Sequence, residues 1–265
     1  MPKTGTTTAP IMENEHVKEL MGILQKNKAP ATKQFKAILT HVVAMEKQLE
    51  TAVTELAAMR RDLADMEKRN HPLKNAMQKA VIVMQAQVLD LRDKLNALKQ
   101  AVIDGCKNAV AAFKEKGISA LDNIARFFKV KPILQAIHTG ANKAAGLADK
   151  AVTNIEVASA NYHEAGRRIK NAGRALAGKE AVQEAKPVGK VAKTFTSPFR
   201  AVRVCFAGIR NNAVAAVGIL KRLEERAAEK KPSIYKDMEK HNKRIKEKEK
   251  ERPTPTRGRS ANAEL

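Results

Sequence analysis

The sequence contains no tryptophan, and aromatic side chains make up only 3% of its 265 residues. So few bulky rings exclude a thick sheet sandwich and leave a thin core, of the kind found between packed helices. Cysteine is equally scarce. Cys106 and Cys205 stand far apart on apolar helix faces, with no Cys-x-x-Cys spacing and no disulfide framework. They read as small buried hydrophobes in a reducing compartment. Runs that alternate apolar and polar residues are missing, which removes strands. No run approaches the roughly 18 consecutive apolar residues of a membrane-spanning helix, and "AVAAVGIL" (213–220) is among the longest. The amino-terminal "MPKTGTTTAPIMENE" has no apolar signal core. The expectation is an all-α protein of the cytoplasm.

Acidic side chains are also few. Lys and Arg total 50 against 28 Asp and Glu, giving a net charge of +22 and a pI near 10.1. That exceeds what solubility needs and favours polyanions such as nucleic acid, anionic lipid or an acidic protein. The excess is uneven. Residues 1–104 carry 16 basic and 12 acidic side chains, whereas residues 105–210 carry 19 and 7. A polyanion contact is therefore expected behind the first third of the chain.

What the sequence does have is heptad spacing. After a flexible tail (1–11), Asn14 is positioned to cap a short helix whose Val17, Leu20, Met21 and Leu24 share a face; "NKAP" (27–30) ends it. Phe35, Ile38, Val42, Met45, Leu49, Ala52, Leu56, Met59, Leu63 and Met66 then alternate spacings of three and four, the mark of a coiled-coil seam. Asn70-His71-Pro72 breaks the helix. Met77, Val81, Met84, Val88, Leu91, Leu95, Leu98 and Val102 resume the rhythm, with Gly105 as a candidate stop. Residues 12–104 thus read as a helix plus an antiparallel hairpin, each arm roughly 50–60 Å long. Heptad faces of this kind suit self-association or a helical partner.

Residues 105–178 read as short amphipathic helices followed by a long alanine-rich one. Cys106, Val110 and Phe113 share a face up to Gly117. Ser119 and Asp122 resemble a capping box before Leu121, Ile124, Ala125 and Phe128. This apolar face is expected to be internal core. Pro132 opens a seam of smaller residues (Leu134, Ile137, Ala141, Ala144, Ala148, Ala151, Ile155, Ala158, Tyr162, Ala165, Ile169, Ala172, Leu176) that Gly178 closes. Residues 179–196 read as a linker. Ser197-Pro198 marks a helix over 197–231, with Phe199, Val202, Phe206, Ile209, Ala213, Ala216, Leu220 and Leu223 in register. Residues 232–265 read as a charged helix and a disordered tail. The fold expected is elongated long-helix hairpins, or a coiled-coil-like bundle, with disordered termini.

Motifs for chemistry fail on inspection. "GRALAGKE" has phosphate-loop glycine and lysine spacing, but a helix precedes it and Glu180 stands where the magnesium-binding hydroxyl belongs. "YHEAGR" begins like a zinc-helix motif, yet Arg167 occupies the second histidine position. No catalytic residue, cofactor, metal or small-molecule substrate is expected. Binding remains. Candidate phosphate contacts are Arg126, Lys129 and Lys131, then Arg167, Arg168, Lys170 and Arg174, then Arg200, Arg203 and Arg210. Rows like these neutralise successive phosphates without reading sequence. Two other readings compete: a scaffold or inhibitor that binds protein through its helices, and peripheral attachment to anionic membrane through 104–131, where Phe127-Phe128 lies between basic residues.

One likeness extends over most of 12–230. "NHPLKNAMQKAVIVMQAQVLDLRDKLNALKQAVIDGCKNAVAAFKEKGISALDNIARFFKVKP", "MENEHVKELMGILQKNKAPATKQF", "AMRRDLADMEKRNHP" and "KPVGKVAK" resemble a family of basic helical proteins of unknown function. Its members are encoded on conjugative and other mobile elements of gut Firmicutes. The resemblance implies a bacterial cytoplasm and a DNA-handling or transfer-accessory setting. It carries no catalytic or ligand motif.

Overall fold

The computed structural model describes residues 10–67, 74–182 and 190–229. Among these the regular structure is entirely helical, as the composition implies. The described residues form five α-helices, α1 (Glu15–Lys26), α2 (Thr32–Glu67), α3 (Lys74–Lys116), α4 (Lys131–Leu176) and α5 (Lys190–Glu229), with a 3-10 segment before α1 (Ile11–Glu13) and another between α3 and α4 (Gly117–Phe127). The chain divides into two compact units, 1–224 and 225–265. The second begins in the last turn of α5, and the helical bundle belongs to the first. The readings of 1–9 and 230–265 as tails, and of Asn70-His71-Pro72 as a break, lie outside the described residues.

The cross-contacts fix the topology. Lys99 of α3 meets Glu46 of α2 at 2.5 Å, while Leu63 of α2 and Val81 of α3 line one crevice. The two helices are antiparallel. Gly140 of α4 packs on Leu91 of α3, and Phe128, just before α4, packs on Gly105, so α4 reverses again. α5 runs back along both α4 and α2: Arg200 pairs with Glu156, Lys131 with Glu224, and Asn212 with His41. The result is an up-down-up-down four-helix bundle. α1 packs across one end of it.

Each long helix contributes its heptad stripe to a common core. Phe35, Ile38, Val42, Leu49, Leu56 and Leu63 are buried, as are Val81, Val88, Leu91, Leu95 and Leu98, and the corresponding residues of α4 to Ile155 and of α5 from Phe199 to Leu223. Met66 lies outside the described side chains. Over these spans the seams are closed within one chain. Asn14 does cap α1, its Oδ1 accepting from the His16 amide at 3.1 Å.

Three local expectations are corrected. Gly105 does not stop a helix: α3 runs through it to Lys116, and a Cβ there would lie 2.5 Å from the Phe128 ring and 2.9 Å from the Phe127 carbonyl oxygen. Glycine is present to admit the ring, which also stacks on Phe35 at 5.2 Å. Ser119 does not form a capping box, since its hydroxyl donates back to the Lys116 carbonyl at 2.8 Å. The segment it opens is 3-10, turning Leu121, Ile124 and Phe128 into the core. Finally, Pro198 does not begin a helix. It sits inside α5, which starts at Lys190 and takes up the end of the expected linker.

α5 also corrects the reading of apolar runs. It is long and apolar enough to cross a membrane by length and composition, with an 18-residue window of mean hydropathy 1.2, of which 39% is buried in the bundle. Arg203 and Arg210 cut it into short apolar pieces, so counting unbroken runs passes it over.

Packing at Gly105 gives a paired prediction. Gly105→Ala should lower the thermal midpoint, at an overpacking cost of about 1–3 kcal/mol. Gly146→Ala, in open space on α4, should instead stabilise by up to about 1 kcal/mol. Thermal unfolding followed by circular dichroism checks both.

Candidate nucleic-acid interface

The candidate cations separate into an edge, an arm and an end. The edge lies where α5 runs beside α4. Asn142, Asp149 and Glu156 are spaced by seven on α4, so they share one side, with rungs roughly 10 Å apart. Each receives an arginine from α5: Arg210 Nη1 to Asn142 Oδ1 at 3.2 Å, Arg203 Nε to Asp149 Oδ1 at 2.6 Å, and Arg200 Nη2 to Glu156 Oε1 at 2.7 Å. Lys131 Nζ to Glu224 Oε2, at 3.2 Å, ends the ladder. These are exposed pairs, worth about 0–1 kcal/mol each. Each guanidinium has five N–H donors and commits only part of them here.

The arm is the carboxyl end of α4. Beyond Ser159 the helix runs on for roughly 25 Å with no buried residue. Gly178, at φ +65°, turns the chain, and residues 179–182 double back as a strap. The Lys179 amide and Arg174 Nε bind the carbonyls of Arg174 and Glu180, respectively, at 2.8 and 2.7 Å. The Asn171 side chain clasps Val182, donating to its carbonyl at 3.0 Å and accepting from its amide at 2.9 Å. Arg167 Nη1 reaches the same carbonyl at 3.2 Å.

Glu164 organises the base of this arm. It accepts from Arg167 Nη2 at 2.7 Å and Nε at 2.8 Å, through its two carboxylate oxygens, and from Arg168 Nε at 3.0 Å. The hydrogen bonds from Arg167, then from Arg168, hold its carboxyl down at about 2, and the Arg167 guanidinium is raised in return. The folded value lies below the ordinary 4.5. The stabilisation is therefore complete above that ordinary value and is lost as pH falls through about 2.

Arg167 and Arg174 lie on the same side of α4 as Asn142, Asp149 and Glu156, by helical spacing. The arm thus continues the arginine edge past the start of α5. Lys170 is exposed at its flank. The end group is separate: Arg126 stacks its guanidinium 4.6 Å from the Phe127 ring centroid, and Lys129 is exposed beside it. Both stand at the opposite end of α4 from the arm, so the ten cations do not form one patch. The segment beneath Arg126 is core, with Cys106, Val110, Leu121, Ile124 and Phe128 buried. Burial pushes the Cys106 thiol up to about 12 and raises Cys205 as well, so both are poor nucleophiles. Among the described residues no group of three His, Cys, Asp or Glu is placed to share a metal ion.

Sequence reasoning finds the cations and misses what they bind. The spacing of Asn142, Asp149 and Glu156 is a readable signal for the ladder, as is Glu164 at three and four residues before Arg167 and Arg168. Nothing local marks Asn171. Replacing Asn171 by Ala removes both of its bonds to the strap. Amide exchange at Val182 should then accelerate by roughly fivefold, the equivalent of about 1 kcal/mol. The thermal midpoint should stay fixed, because the arm lies outside the core. Exchange read by NMR tests it.

No curated protein and no solved structure matches the chain. The profile of a family of unknown function (DUF6674) matches residues 13–260. That span takes in every element of the bundle, the arginine edge and the arm. The chain belongs to the DUF6674 family.

Proposed function

We propose that the protein is a non-enzymatic helical accessory protein that holds nucleic acid by its phosphate backbone along the arginine edge of α4 and α5. The observation that carries this reading is the order of the side chains. Arg210, Arg203, Arg200, Arg167 and Arg174 follow one another along a single side of α4 from Asn142 to the tip of the arm. The ladder from residue 142 to 156 runs roughly 20 Å, and Arg167 and Arg174, partly engaged by the strap, extend the row of cations beyond it. Their carboxylate partners reduce the field, so the binding is weak, sequence-independent and steeply salt-dependent. Base reading has no support, since exposed aromatic rings are few.

The likeness to proteins encoded on mobile elements of gut Firmicutes supports a setting in which DNA is moved between cells, in a bacterial cytoplasm. Attachment to membrane through 104–131 is less well supported, because the apolar side chains it needs are buried. Binding a protein partner is favoured by a different observation, the uncovered apolar face of the arm.

Fluorescence anisotropy of a labelled generic duplex, titrated across salt concentrations, tests the proposal. Log affinity should fall linearly with log salt. In an Arg203→Gln, Arg210→Gln variant the slope should shrink by about 2, one counterion per lost phosphate contact. Binding that ignores salt, or a variant with an unchanged slope, would remove the edge as the site.

A further inference from the structure

The inward stripe of α4 outlasts its partners. Tyr162, Ala165, Ile169, Ala172 and Leu176 continue the register that buries Leu134 to Ile155, yet Tyr162 is 59% exposed, Ile169 75% and Leu176 92%. The strap does not cover them. Its anchors, Arg167, Asn171 and Arg174, occupy roughly the opposite side of the helix, and the strap is held there by polar bonds. A seam that is core over most of α4 thus emerges uncovered from the bundle, on an arm braced from behind.

Charge selects the occupant. Residues 160–182 carry five basic and two acidic side chains, and Arg168 and Lys170 flank the stripe on either side. A second copy of the arm would be a poor fit: antiparallel pairing centred on Ile169 brings Arg168 against its own copy on one flank and Lys170 against its own copy on the other. At the centre of a contact only roughly 25 Å long, those like charges decide against it. Phosphate satisfies the cations and leaves Ile169 and Leu176 in water. An amphipathic helix with acidic flanks satisfies both. We infer that the protruding end of α4 docks such a helix from another protein, its apolar side extending the bundle seam and its carboxylates meeting Arg168 and Lys170. This inference rests on the apolar stripe and stands apart from the phosphate-binding edge.

The test uses the full chain and three labelled designed peptides of three heptads. One has Leu at a and d and Glu at e and g, so that its own pairing is suppressed. The second replaces those Glu by Lys, and the third replaces the Leu by Ser. The Glu/Leu peptide should bind, and the other two should bind at least about tenfold more weakly. Ile169→Ser with Leu176→Ser should weaken the Glu/Leu peptide by a similar factor, with the circular dichroism spectrum unchanged because both side chains are exposed. Arg168→Glu with Lys170→Glu should reverse the preference toward the Lys peptide. Equal affinity in the Ser variant, or equal binding of the Ser peptide, would overturn the inference. Light scattering that finds a dimer lost in the Ser variant would assign the stripe to a second copy. Co-sedimentation with phosphatidylserine vesicles lost in that variant, with peptide affinity unmoved, would assign it to lipid.

Discussion

Four apolar stripes, each repeating on heptad spacing and each aimed at one axis, hold the bundle together. Every other feature depends on how far each stripe runs and what fills it. α2 and α3 supply Phe, Leu, Val and Met, whereas α4 supplies mostly alanine from Ala141 to Ala151. Small side chains on one helix let its backbone come close to its neighbours, so Gly140 meets Leu91 and Lys94 of α3 directly. With no tryptophan in the sequence and few rings, the core's aromatic packing is sparse: Phe35 and Phe128 stack on each other, and Phe199 and Phe206 of α5 are buried. Gly105 is what makes room for that stack.

A core of interchangeable aliphatic residues does not by itself set register, since sliding a helix by a heptad costs little. Polar groups inside the bundle supply the difference. Lys99, almost wholly buried, meets Glu46, and the His41 ring, Asn212 and Gln48 form a second polar link between α2 and α5. Leaving one member of a buried pair alone costs about 3–5 kcal/mol, several times what a rung of the exposed ladder contributes. The surface arginines of the ladder therefore contribute little to stability. They can be redirected to a ligand with little loss of stability.

The seams are legible in the sequence because they depend on spacing alone. From Phe35 to Leu63 and from Met77 to Val102, each residue assigned to a stripe is buried where it is described. Punctuation is less legible. Gly105 resembles a helix stop until Phe128, distant in sequence, is seen to fill its place. Pro198 resembles a helix start because local rules cannot tell that α5 begins about two turns earlier, at Lys190. The cations are legible as a type and in their rows, but an arginine does not announce whether a carboxylate, a carbonyl or a phosphate receives it. Arg174 has the spacing of a phosphate contact and is spent partly on the Glu180 carbonyl. The strap depends on Asn171 recognising a backbone eleven residues away, and no periodicity encodes that.

α4 is the one helix that takes part in all of these roles, and its geometry links them. One side carries the arginine edge, another the stripe, and Arg168 and Lys170 lie between the two. A polyanion along the edge and an acidic helix on the arm would touch different atoms while drawing on the same positive field. Within a Debye length of about 8–10 Å each lowers the potential that attracts the other. Two binding faces on one helix, apolar contact on one and phosphate on the other, would thus be coupled negatively without any change of shape. The coupling would fade with added salt, because only its electrostatic part is shared.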